Sequence, residues 1–201
     1  MERKKFIILF FLITYCYAQT KGFAQLQTRV YQQGGSQFQN GFTQIASSKY
    51  FNIYSKSDLG VLKLIRRLDI NSEYLLFEID STSREQAIEM LGAIVDAIFL
   101  EACDVLHMYV YHFKVNIKLC QNQKELKNIF LKFYGRDLKS QSFYIHNTSS
   151  IYINMQNIRP EILAYGIARA IISHYFVALP PEGVQEVMSQ EVGVQIRKLA
   201  K

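Results

Sequence analysis

The sequence predicts an α+β fold, a small mixed sheet with packed helices. Three observations carry that expectation. Five short runs rich in β-branched and aromatic residues, at 49–56, 73–79, 115–119, 142–146 and 149–154, read as strands. Between and after them, apolar residues recur at helical spacing over about 58–69, 84–108, 123–133 and 182–199. The stretch 160–176 differs from these, because Leu163, Tyr165, Ile167, Ile171 and Tyr175 leave it apolar on nearly every side. A helix of that composition belongs inside the protein rather than on its surface.

The chain opens with an export signal over residues 1–18. Arg3, Lys4 and Lys5 form a positive start, and an apolar run follows that is too short to span a bilayer comfortably. Cys16 and Ala18 put small residues where a signal peptidase reads, which predicts cleavage after Ala18. A lipid anchor on Cys16 is the rival reading, and the bulky Tyr15 beside it argues against that. Losing the signal lowers the net charge from +6 to +4, a mild excess spread along the chain. Nucleic acid is not an expected partner on that balance. Residues 19–48, rich in Gln, Gly, Ser and Thr, read as a flexible polar leader, and 49–201 as one domain.

Within 49–201 the boundaries follow from local chemistry. Ser57 and Asp58 offer capping oxygens for the first helix, with Leu59, Leu62, Ile65 and Leu68 as its apolar stripe. Residues 80–83 form a turn and cap for the longest helix. Gly135 breaks the helix over 123–133, and Asn147-Thr148 joins two short strands as a hairpin-like pair. Pro160 suits a first helical turn, where its missing N–H is not needed, and Pro180-Pro181 separates the buried helix from the last one.

Arg169 is a charge in the middle of the buried helix, so it needs an acceptor. Glu186 on the last helix is the expected partner, with a solvated Glu186 carboxylate as the alternative. The run Ile151-Tyr152-Ile153, then Ile162-Leu163-Ala164, Ala170-Ile171-Ile172 and Pro180-Pro181 resembles the core of small exported gluzincin-type zinc metallopeptidases. The resemblance implies a zincin-like architecture in which an edge strand precedes a helix carrying His-Glu-x-x-His. Tyr165 and Arg169 stand at the two histidine positions and Gly166 at the glutamate position, with Glu186 at a plausible place for the third ligand. Two imidazoles four residues apart share a helix face and can hold one zinc ion, while the glutamate takes a proton from zinc-bound water. A phenol, a hydrogen atom and a guanidinium do none of this.

No metal or other cofactor is therefore expected, and no catalytic residues. His107 and His112, like His146 and His174, form no pair at three or four residues within a helix. Cys103 and Cys120 remain open between a disulfide and two buried thiols. The functional expectation is an exported, periplasmic or extracellular pseudopeptidase that binds a peptide or protein segment or serves as a structural module. Strand addition along Ser149, Ser150, Ile151, Tyr152, Ile153 and Asn154 would be its binding mode. The alternatives are a hydrolase with a rebuilt site and a scaffold whose cleft is closed. After signal cleavage no membrane partner is expected, and the sequence leaves the oligomeric state open. N-terminal sequencing and intact mass of the exported protein should give a chain beginning near Gln19 without lipid; an acylated Cys16 would contradict this.

Overall fold

The structure, a computed structural model, describes residues 41–56, 60–75 and 83–201. The signal over 1–18 and the leader up to residue 40 lie outside the described residues. Five strands, β1 (Thr43–Ser47), β2 (Phe51–Ser55), β3 (Val115–Cys120), β4 (Ser142–Ile145) and β5 (Ser150–Asn154), form one mixed sheet in the order β1-β2-β3-β5-β4. The three inner strands run parallel, and the two outer strands pair antiparallel to their neighbours. Among the described residues there are five α-helices: α1 (Val61–Leu68), α2 (Arg84–Leu106), α3 (Gln123–Tyr134), α4 (Pro160–Tyr175) and α5 (Glu182–Leu199). None is long and apolar enough to cross a membrane.

Strand alternation divides the apolar residues between two cores. Ile53, Ile117, Leu119, Ile151 and Ile153 pack in one cluster with residues of α1, α2, α4 and α5. Cys120 and Tyr152 join Phe143 and Ile145 in a second cluster with Leu126, Ile129 and Phe130 of α3. The helix ends are set locally. Ser83 and Gln86 form a capping box at α2, Asn122 accepts from the Glu125 amide at α3, and Gly135 ends α3 at φ +63°.

Three expectations change here. Residues 43–47 belong to β1, so the polar leader ends before residue 43 rather than at 48. Its bonding to β2 supplies the order that composition alone did not. The α1 cap is Gly60, with no side-chain bond, while Ser57, Asp58 and Leu59 lie outside the described residues. Its buried face is Val61, Leu64, Ile65 and Leu68, and Leu62 is exposed, because the helix begins later and is rotated from the expected stripe. Of the expected strand at 73–79, Glu73 and Tyr74 sit in a turn, and 76–79 lie outside the described residues.

Two polar arrangements brace the sheet. The Asp96 carboxylate of α2 accepts from Ser48 Oγ (2.6 Å) and from the Lys49 and Tyr50 amides (3.0 and 3.3 Å), which holds the β1–β2 turn. Burial pushes the Asp96 carboxyl up, and those hydrogen bonds pull it back. Lys118 of β3 is only 7% exposed. Its ammonium donates to the Tyr152 hydroxyl at 3.2 Å and lies 5.1 Å from that ring's centre. Burial lowers the Lys118 pKa from its ordinary 10.5, against a weaker upward pull from Cys120.

The unfolded chain therefore binds more protons than the native protein between the folded Lys118 pKa and 10.5, and stability rises with pH across that window. In Lys118→Met this part of the rise should vanish in urea melts recorded at successive pH values. A rise that survives unchanged would mean that Lys118 is not the buried titrating group.

Candidate functional site

The site that the sequence singles out is built where α4 crosses β5 and meets α5. Pro160 starts α4, and Glu161 in its first turn is buried with ion pairs to Arg159 (3.2 Å) and Arg197 (3.7 Å). A Cβ at Gly193 would stand 3.2 Å from the Glu161 carbonyl oxygen, so glycine lets α5 approach the start of α4 closely. On its opposite side α4 approaches the sheet more closely still. A Cβ at Gly166 would lie 2.7 Å from Ile151 Cγ2, with Ser142 Oγ at 3.6 Å. Residue 166 thus faces β5 and β4 with no room for a side chain. A glutamate there would displace Ile151.

Tyr165 reaches the other way. Its hydroxyl donates to Glu186 Oε2 at 2.5 Å, and the second oxygen of that carboxylate takes Gln190 Nε2 at 2.8 Å. Burial raises the Tyr165 pKa first and the bond to Glu186 raises it further, while Arg169 pulls the other way. The phenol therefore stays protonated and keeps donating. Arg169 makes no ion pair with Glu186, contrary to expectation. It is half-buried one turn from Tyr165, and its Nη1 is enclosed without a hydrogen-bond partner among the described residues. Tyr165 and Gln190 each bond one Glu186 oxygen, and Arg169 reaches neither.

The expected peptide-binding strand is also corrected. Ser150, Ile151, Tyr152, Ile153 and Asn154 form an interior strand, parallel to β3 on one side and antiparallel to β4 on the other, and all five are buried. Ser149 is a left-handed turn residue at φ +41°. A strand bonded on both sides has no free edge for a peptide. The edge is β4, where the Asn154 amide donates to the Gln141 carbonyl and the pairing register then turns the carbonyls of Ser142 and Tyr144 outward. Ser140 Oγ occupies the first (2.6 Å) and the Tyr134 hydroxyl the second (3.3 Å).

Sequence spacing missed a second polar group. The end of β4 and the last turns of α4 bring together Tyr144, His146, Ser173 and His174, which lie nearly thirty residues apart in the chain. Ser173 Oγ is 2.7 Å from His146 Nδ1, and the two imidazole centres are 5.8 Å apart. The Ala170 carbonyl 2.8 Å from His174 Nδ1 can only accept, so that nitrogen carries the proton. Burial lowers His146, and His174 lowers it further; burial lifts Tyr144 to about 12. The pair Ser173–His146 can exchange a proton, but no carboxylate forms an ion pair with His146 among the described residues, and Ser173 is buried in the last turn of α4. The signal for the group was the β4–β5 pairing, which returns residue 146 toward α4.

Cys103 and Cys120 are buried free thiols in different cores, each pushed up to about 12 by burial. His107 and His112 both occupy left-handed turns at the end of α2 and beyond. Among the described residues no three His, Cys, Asp or Glu side chains lie close enough to hold a metal ion. A void of about 10 Å³ between the sheet and α1, α2 and α4 is lined only by aliphatic side chains, too small and too apolar to be a site. No family model, curated protein or solved structure matches the chain. What fold and site define together is an α+β protein with a five-stranded mixed sheet and a tightly closed helix–sheet contact at residue 166.

Gly166→Ala should destabilise the protein by about 1–3 kcal/mol through overpacking. In an Ile151→Leu background, which removes the β-branched methyl, the same change should cost measurably less. Equal costs in chemical denaturation would contradict the close contact.

Proposed function

We propose that the chain is an exported, catalytically inactive metallopeptidase-like protein that works as a binding or structural module. The observation that carries this reading is the contact between Tyr165 and Glu186 at 2.5 Å. The gluzincin resemblance assigns the first histidine to position 165 and the third ligand to position 186. In an active relative those two side chains converge on zinc; here they converge on each other. The residues at the helix positions do not fit a zinc ion. A protonated phenol is a poor ligand, Arg169 brings positive charge, and Gly166 supplies no base.

With β5 internal and the outward carbonyls of β4 occupied, the closed-cleft scaffold is favoured over a cleft that takes a peptide by strand addition. The competing reading, a hydrolase with a rebuilt site, has one contact in its favour, Ser173 Oγ to His146 Nδ1 at 2.7 Å. Among the described residues no carboxylate forms an ion pair with that imidazole, and the serine is buried.

Purified wild-type protein should carry no stoichiometric zinc and cleave neither peptides nor esters after zinc is added. The double variant Tyr165→His/Arg169→His should gain zinc binding that Glu186→Ala abolishes, because the three positions then supply a ligand set. Stoichiometric zinc in the wild type, lost together with activity on chelation, would contradict inactivity. A double variant that binds no zinc would contradict the gluzincin relation.

A further inference from the structure

The two imidazoles beside the end of α4 have no part in the proposed function, yet their setting is specific. His146 is exposed in the turn between β4 and β5, and His174 is half-buried in the last turn of α4. Their ring centres are 5.8 Å apart. Among the described residues, every hydrogen bond that either ring makes goes through Nδ1. His146 uses it for Ser173 Oγ at 2.7 Å, and His174 for the Ala170 carbonyl at 2.8 Å and the Tyr144 hydroxyl at 3.4 Å. Nδ1 of His174 carries the proton, so its Nε2 presents a lone pair. Phe113 packs on the same ring with centres 5.1 Å apart, which holds the ring in place.

We propose that Nε2 of His146 and Nε2 of His174 together bind one divalent transition-metal ion, copper(II) in preference to zinc, with water completing its coordination. An imidazole nitrogen sits about 2.0–2.1 Å from such an ion, which puts each ring centre about 3.2 Å from it. Two rings on one ion therefore have centres no more than about 6.4 Å apart. The pair meets that limit as it stands. A carbonyl or hydroxyl at Nδ1 is the kind of partner with which a ligating histidine fixes its ring and tautomer, and each of these rings has one. Burial and the neighbouring His174 lower the His146 pKa, so at neutral pH that ring is uncharged, the form that ligates. Imidazole suits both copper(II) and zinc, and copper(II) stands above zinc in the affinity order of nitrogen sites. Two protein ligands make an open, exchangeable site, unlike the closed four-ligand cage of a structural zinc. The inference does not rest on the gluzincin reading, since positions 165, 169 and 186 take no part in it.

The test is equilibrium dialysis of the full chain, without an affinity tag, against copper(II), with electron paramagnetic resonance of the loaded protein. One copper per chain is expected at about micromolar free ion, with splitting from two imidazole nitrogens. His146→Ala changes an exposed turn residue, so the fold should survive; binding should weaken at least about tenfold and one nitrogen should disappear from the spectrum. His174→Ala should act alike. Ser173→Ala keeps both ligands yet should weaken binding about tenfold, because His146 Nδ1 loses its partner. His107→Ala and His112→Ala should leave the affinity unchanged. A chain that takes up no copper overturns the proposal. So does binding that His146→Ala leaves intact, or that His107→Ala or His112→Ala removes.

Discussion

The seating of α4 on β5 governs the rest of the molecule. A Cβ at residue 166 would stand 2.7 Å from Ile151 Cγ2, nearer than packed atoms tolerate, so the helix comes as close as it does only because that residue is glycine. The approach decides what surrounds it. Leu163, Ile167 and Ile171 are driven into the core beneath the sheet, and Ser142 of β4 donates to the Ile162 carbonyl at 3.1 Å, pinning the edge strand to the same helix. The space that a side chain at 166 would need for chemistry is already filled by the sheet.

The opposite side of α4 is tied to α5 by two polar links of different kinds. At one end Glu161 is buried and shared between Arg159 and Arg197, where Gly193 permits close approach. Further along, Tyr165 donates to Glu186. A hydroxyl–carboxylate bond joins the helices without a charge that must be desolvated on both sides, so it escapes much of the penalty of a buried ion pair. Arg169 stays half-buried one turn away, with Nη1 unpartnered among the described residues. It is near enough to act on the Tyr165 proton through its field, yet forms no bridge.

Most elements were legible because their signals are local. The turn and cap ending at Ser83 and the break at Gly135 each announce a helix end within a turn of the residues that make it. The all-round apolar composition of α4 correctly implied burial. Apart from the β4–β5 hairpin, which Asn147-Thr148 marked, pairing was not legible. Nothing local says that β5 is internal and β4 the edge, or that residues 43–47 leave a Gln- and Ser-rich tract to form β1. The site divides in the same way. Positions 165, 166, 169 and 186 were singled out by the gluzincin resemblance, but the choice of Tyr165 over Arg169 as partner for Glu186 depends on how two helices are rotated against one another. The meeting of His146 with Ser173 depends on the β4–β5 turn, which brings together residues far apart in the chain.

The central claim is that a tyrosine–glutamate bond joins α4 to α5, at positions that the proposed gluzincin relation would give to zinc ligands. A double-mutant cycle of Tyr165→Phe with Glu186→Ala, read by equilibrium unfolding, tests it most directly. The expected coupling is about 1.5–3 kcal/mol, the range for a hydrogen bond to a charged group. The parallel cycle of Arg169→Met with Glu186→Ala should be additive within about 0.5 kcal/mol. Additivity in the tyrosine cycle with coupling in the arginine cycle would contradict the account and make the guanidinium the true link between the helices.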